Sequence, residues 1–114
     1  MEKGIETREK ILNAAMLMVR ENGLDSLTIG ETAKQVGMSK SGLFAHFASR
    51  EELLLHVIEF TAQDFRSHVF DKAMQHKRGL ERINALSRYW IKWSNQPSGG
   101  CPFTSGAFEF DDRP

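Results

Sequence analysis

The chain has 114 residues, 40% apolar and 26% charged, and its 15 Lys and Arg balance 15 Asp and Glu to a formal net charge of zero. That length and apolar share suit a small helical core, while the neutral balance excludes a uniformly basic nucleic-acid-coating protein and leaves any positive surface to local clustering. No apolar run reaches membrane-spanning length, the opening MEKGIETREK is charged rather than signal-like, and a single cysteine excludes an internal disulfide framework, so the reducing cytoplasm is the expected compartment.

The opening helix is expected from about Thr7 to Asn22. Leu12, Ala15, Met16 and Val19 trace one of its faces, widened by Ile5, Ile11 and Met18. Asn22-Gly23-Leu24 is a helix stop, with Leu24 placed to fold back on the last turn. Thr28-Ile29-Gly30-Glu31 then forms a capping box, in which the Thr hydroxyl accepts from the Glu31 amide. Ile29, Ala33 and Val36 fall at i, i+4 and i+7 on the helix that follows. Gly37 ends it in the left-handed conformation that a Cβ disfavours. Small Ala33 admits a partner helix, and Met38 plugs the corner between the two.

Ser39 caps the second helix of the pair, and Leu43 and Phe47, four apart, pin it to the scaffold. Lys40, Ser41, Gly42, Phe44, Ala45 and His46 are left on the other faces. Gly42 costs such a helix about 1 kcal/mol relative to Ala, which fits either a close backbone approach by a ligand or tight helix packing. Ser49-Arg50-Glu51-Glu52 is a second capping box. Its Arg50 opposes the helix macrodipole in the first turn, a conflict that a nearby phosphate, or simply solvent, would relieve. Short helix, tight turn and second helix together hold one exposed helix rigidly, the arrangement that enters a DNA major groove.

A longer helix starts at Ser49, carries Leu54, Val57, Ile58, Thr61 and Phe65, and extends toward Met74 as a spine. After a polar break at Gln75 to Gly79, a further helix is expected from Leu80 to Ser94, its inner face made by Ile83, Leu86, Tyr89, Trp90 and Trp93. The basic residues between Lys72 and Lys92 outweigh one acid, Glu81, and read as the solvated face of an amphipathic helix rather than a second nucleic-acid surface. Gln96 to Pro102 is a loop by composition, and Phe103, Phe108 and Phe110 behind it are expected to form an exposed apolar patch.

From Thr7 to about Leu54, the residues REKILNAAMLMVRENG, LTIGETAKQVGMSKSGLFAHF and SREELL, in that order, resemble the DNA-binding domain of the TetR (tetracycline-repressor-like) transcriptional regulators. The resemblance covers a little under half of the chain. It implies an all-α fold: a three-helix helix-turn-helix DNA-binding domain over residues 1–50, then a linking helix and a partial ligand-binding and dimerisation domain over 51–114. It further implies a bacterial repressor that binds a palindromic operator on double-stranded DNA as a homodimer, released by a small-molecule inducer. Phosphate contacts are implied for Thr28, Ser39, His46 and Arg50, with Lys40, Ser41, Gly42 and Ala45 nearest the base edges. Phe44 stands where the family usually has a Tyr whose hydroxyl bonds a phosphate; it can still pack on sugar and backbone. Further helices normally follow in the family, so the inducer pocket and the pairing helices are expected to be incomplete in this chain.

Other chemistry has little support in the residues. His46, His56, His68 and His76 form no i, i+4 pair, so no metal site is expected, and no cofactor is implied. Cys101 reads as a lone, partly buried thiol with nothing local to activate it. Glu109, Asp111 and Asp112 read as a solvated loop. No phosphate-cradling Gly loop and no Ser/His/Asp set at a telling spacing occurs, so no enzyme is expected. The rival reading is a helical interaction module that docks Leu43, Phe44 and the tail aromatics onto a protein partner.

Overall fold

A computed structural model describes residues 2–95, 101–103 and 109, all helices, turns and loops with no strand among them. Helix α1 spans Glu2–Asn22, five residues longer at its start than Thr7 implied. Nothing in Lys3 to Glu6 stops a helix, since Gly4 costs only about 1 kcal/mol. Thr7 sits inside the helix, its hydroxyl donating back to the Lys3 carbonyl at 2.8 Å. Ile5 is consequently 59% exposed and does not widen the inner face, whereas Ile11, Met16 and Val19 are buried.

A short 3-10 turn, Leu24–Ser26, separates α1 from α2, Ile29–Val36. The Thr28 hydroxyl accepts from the Glu31 amide at 3.1 Å. Gly37 terminates α2 at φ 72°, and Met38 N–H donates to Ala33 O at 2.9 Å while Gly37 N–H donates to Lys34 O at 3.3 Å. These two bonds satisfy carbonyls that the helix end would otherwise leave open and turn the chain sharply. Helix α3, Lys40–Phe44, is only five residues long. Phe47 therefore lies beyond it, just past the turn at Ala45 and His46, where its amide still donates to Leu43 O at 3.0 Å.

Helix α4 is Arg50–Phe65, capped by Ser49, whose hydroxyl accepts from the Glu52 amide, while the Glu52 carboxylate accepts from the Ala48 amide at 3.1 Å. The chain stays helical through a π-type turn, Arg66–Phe70, and α5, Asp71–Met74, so the spine does reach Met74. Its buried line is Leu53, Val57 and Thr61. Ile58, expected inside, is 40% exposed.

Leu43, Phe47 and Leu53 are fully buried with Ile11, Leu27 and Ala33 in one core that α1 braces against α2 and α4. Helix α6, Leu80–Ser94, packs on the π turn and α5 through Ala85, Leu86, Tyr89 and Trp93. That contact is narrower than the expected aromatic face: Ile83 is 59% and Trp90 42% exposed, because they lie to one side of the packed residues on the helical wheel. Lys72, Lys77, Arg78, Arg88 and Lys92 are exposed, as a solvated face requires. Phe103 is part-exposed but lies on Trp93, with ring centroids 6.2 Å apart and an interplanar angle of 20°. Phe108, Phe110, Asp111 and Asp112 lie outside the described residues.

Candidate nucleic-acid interface

The burial of Leu43 and Phe47, both 0% exposed, dictates which way α3 faces. With those two side chains anchored, Ser39, Lys40, Ser41, Phe44 and Ala45 are exposed, and Gly42 and His46 are half-buried at the edge. Thr28, exposed at the start of α2, completes the surface. The structure brings the two helix starts together: the Lys40 Cε lies 3.4 Å from where a Cβ on Gly30 would stand. The lysine stem therefore runs along the first turn of α2, beside the cap that Thr28 makes.

The Ser39 hydroxyl accepts from the Gly42 amide at 3.0 Å and shares a hydrogen bond with Ser41 Oγ at 3.2 Å. A Cβ on Gly42 would stand 3.1 Å from that Ser39 Oγ and 3.5 Å from Met38 Cε. That crowding is slight, and Glu31 and Glu52 hold the same place in the Thr28 and Ser49 caps, so the cap alone does not call for glycine. Phe44 is 45% exposed.

Arg50 is not left to solvent. Its Nε donates to Leu27 O at 2.6 Å and its Nη2 to Leu24 O at 3.4 Å. Backbone carbonyls thus supply the negative partner that its place in the first turn of α4 calls for. A guanidinium carries five N–H donors, so this clamp does not exhaust it.

Three residues of consequence carry no local signal in the sequence. Arg8 of α1 lies over the Phe47 ring, 4.5 Å from its centroid, and its Nη1 reaches His46 O at 3.4 Å, steadying the chain just past α3. Arg20, 8% exposed, lies 4.1 Å over the Trp93 ring and donates to Trp93 O at 3.3 Å, while Trp93 Nε1 donates to Asp64 at 2.9 Å. Burial pushes the Arg20 guanidinium below its usual pKa, with Asp64 and Cys101 opposing the shift; its Nε has no partner among the described residues. Glu109 accepts from the amides of Leu24 and Asp25. Each contact spans tens of residues, which periodicity and capping patterns do not register.

Among the described residues no group of three or more His, Cys, Asp or Glu is placed to hold a metal ion, and no helix is long and apolar enough to cross a membrane. Two short helices at a tight turn, braced by a third and followed by a long spine, define the helix-turn-helix class. Residues 11–57 match the model of bacterial regulatory proteins of the tetR family, and residues 79–114 match that of a tetracyclin repressor-like C-terminal domain. The chain belongs to the TetR family.

Its fold superposes on a TetR transcriptional regulator from Chloroflexus aurantiacus with a TM-score of 0.85 at 30% identity, over 99% of this chain and 58% of that one. A TetR-family regulator from Streptomyces coelicolor, at 20% identity, shares the fold with a TM-score of 0.78, over 94% of this chain and 54% of that one. The nucleoid occlusion factor SlmA of Vibrio cholerae is 30% identical over 105 residues, 91% of this chain and 54% of the relative. The chain thus spans about half the length of the curated relatives it matches.

Proposed function

We propose that this chain is a DNA-binding transcriptional regulator that inserts α3 into the major groove. The observation that carries the reading is the orientation of α3: Leu43 and Phe47 are wholly buried, which turns Lys40, Ser41 and Ala45 outward beside the Thr28 cap. Thr28, Ser39 and His46 would contact phosphates, with Arg50 adding a donor beyond its carbonyl clamp. Lys40, Ser41, Gly42 and Ala45 would lie nearest the base edges, and Phe44 would pack against sugar. Phosphate contacts fix register, while contacts at base edges fix sequence.

One neutral copy with so few basic side chains binds weakly, so a homodimer reading a palindromic operator is the effective form. Its two α3 helices would sit about 34 Å apart, one DNA turn, or a multiple of that. As a repressor, the regulator would change this spacing when a small molecule binds its C-terminal domain. Selection of bound sites from a random duplex library tests the reading, because it yields both a consensus and the half-site spacing. Affinity for a selected site should fall with log salt by a slope of about −0.9 per neutralised phosphate. A library that yields no consensus, with binding indifferent to salt, would leave the protein-docking module as the better account.

A further inference from the structure

The 3-10 turn Leu24–Ser26 is gripped by opposite charges at its two ends, both from residues distant in sequence. Glu109 Oε1 accepts from Leu24 N–H at 2.9 Å and Oε2 from Asp25 N–H at 2.8 Å. These amides open the turn, ahead of its own i to i+3 bonds, where a carboxylate is electrostatically favoured. Gly23, at φ 86°, admits it: a Cβ at that position would stand 2.8 Å from Glu109 Oε1. At the far end Arg50 Nε holds Leu27 O at 2.6 Å, and its Nη2 reaches Leu24 O at 3.4 Å.

Within the turn, Ser26 N–H donates to Gly23 O and Leu27 N–H to Leu24 O, each at 3.2 Å, and the Ser26 hydroxyl donates to Gly23 O at 2.6 Å. The two short bonds to a carboxylate, each stronger than a neutral amide bond, add a charged hold on the amides that open it. Leu27 is 0% exposed, so the chain has no slack there, and the next residue is Thr28, the cap of α2. Any displacement of the turn passes through Leu27 into the helix start against which Lys40 rests.

We infer that Glu109 is a positioning residue for the DNA-reading helices: by clamping the 24–26 turn against Arg50 it sets the N-terminus of α2 and, with it, Thr28 and Lys40. The inference rests on the DNA-binding reading above. Glu109 lies in the stretch that matches the C-terminal domain model, residues 79–114. A shift of that stretch withdraws the carboxylate and loosens the α2 start without acting through the spine helix. Arg20, bonded to Trp93 of α6 from the last turn of α1, ties the same corner to the same stretch and limits how far it can drift.

Glu109→Gln is the direct test, because the amide keeps the size and one acceptor oxygen but turns an NH2 toward a backbone N–H. In the full chain, at a temperature where circular dichroism shows both proteins folded, amide exchange at Leu24 and Asp25 should quicken. The resonances of Thr28 to Glu31 should move with them. Affinity for a duplex selected by the wild-type chain should fall about tenfold, the worth of one lost charge-assisted bond. Glu109→Asp, one methylene shorter and able to reach one amide, should give a smaller change in the same residues, and it decides the matter if the Gln variant does not fold. Resonance changes that stop at Ser26, or an unchanged affinity beside altered amides, would overturn the inference. If the wild-type chain binds no duplex while Thr28 to Glu31 respond, the DNA-binding proposal fails and the clamp stands.

Discussion

Replacing Arg50 by Ala separates two roles that one side chain combines. In the folded chain it donates to Leu27 O at 2.6 Å and to Leu24 O at 3.4 Å. A hydrogen bond from a charged donor contributes about 1.5–3 kcal/mol. The longer contact lies near the limit of useful geometry, and Arg50 is only half-buried, so about 2 kcal/mol is the gross loss. Against it stands the relief of a cation in the first turn of α4, worth about 0.3–1 kcal/mol. The net destabilisation expected is therefore about 1–1.7 kcal/mol. Urea denaturation followed by circular dichroism should show the midpoint falling with an unchanged slope, since the surface exposed on unfolding is the same. Binding, compared where both proteins are fully folded, should weaken alike for selected and unrelated duplexes, as loss of a phosphate contact requires. A variant as stable as the wild type would refute the clamp. A loss confined to the selected sequence would refute the phosphate role.

Two further substitutions probe the exposed face. Lys40→Ala should weaken binding to a selected duplex by about 1–3 kcal/mol in a gel shift, and an unaltered shift would remove Lys40 from the interface. Phe44→Tyr adds a hydroxyl to a ring that is 45% exposed, so stability should hold. Affinity should rise by about threefold to tenfold as the hydroxyl gains a phosphate; equal affinity would mean that the ring edge does not face the DNA backbone.

Much of this protein is written locally. Thr28, Ser39 and Ser49 each accept from the amide three residues on, and Gly37 adopts the left-handed stop, because caps and stops depend on a few neighbouring residues. The burial of Leu43 and Phe47 also follows from spacing, since the Phe47 amide still bonds Leu43 O just past the end of α3 and holds the two on one side. With those elements came the family and the surface proposed for DNA. Lengths were less legible. Without a breaker before Thr7, α1 runs back to Glu2, and α3 stops at Phe44 although the hydrophobic spacing continues to Phe47.

Only the tertiary structure decides where long side chains go. Arg50 meets carbonyls of a turn 23 and 26 residues away, and Glu109 meets amides 84 and 85 residues away. Arg20 settles on Trp93 although its own helix marks it as an ordinary last-turn cation. The packed residues of α6 likewise depend on which face the π turn and α5 present, so Ile83 and Trp90 stay exposed despite suiting an inner stripe. Local hydrogen-bonding rules and helical periodicity determined the helix-turn-helix unit. Charge pairing and packing across distant segments, which no local pattern encodes, determined how the rest of the chain holds it.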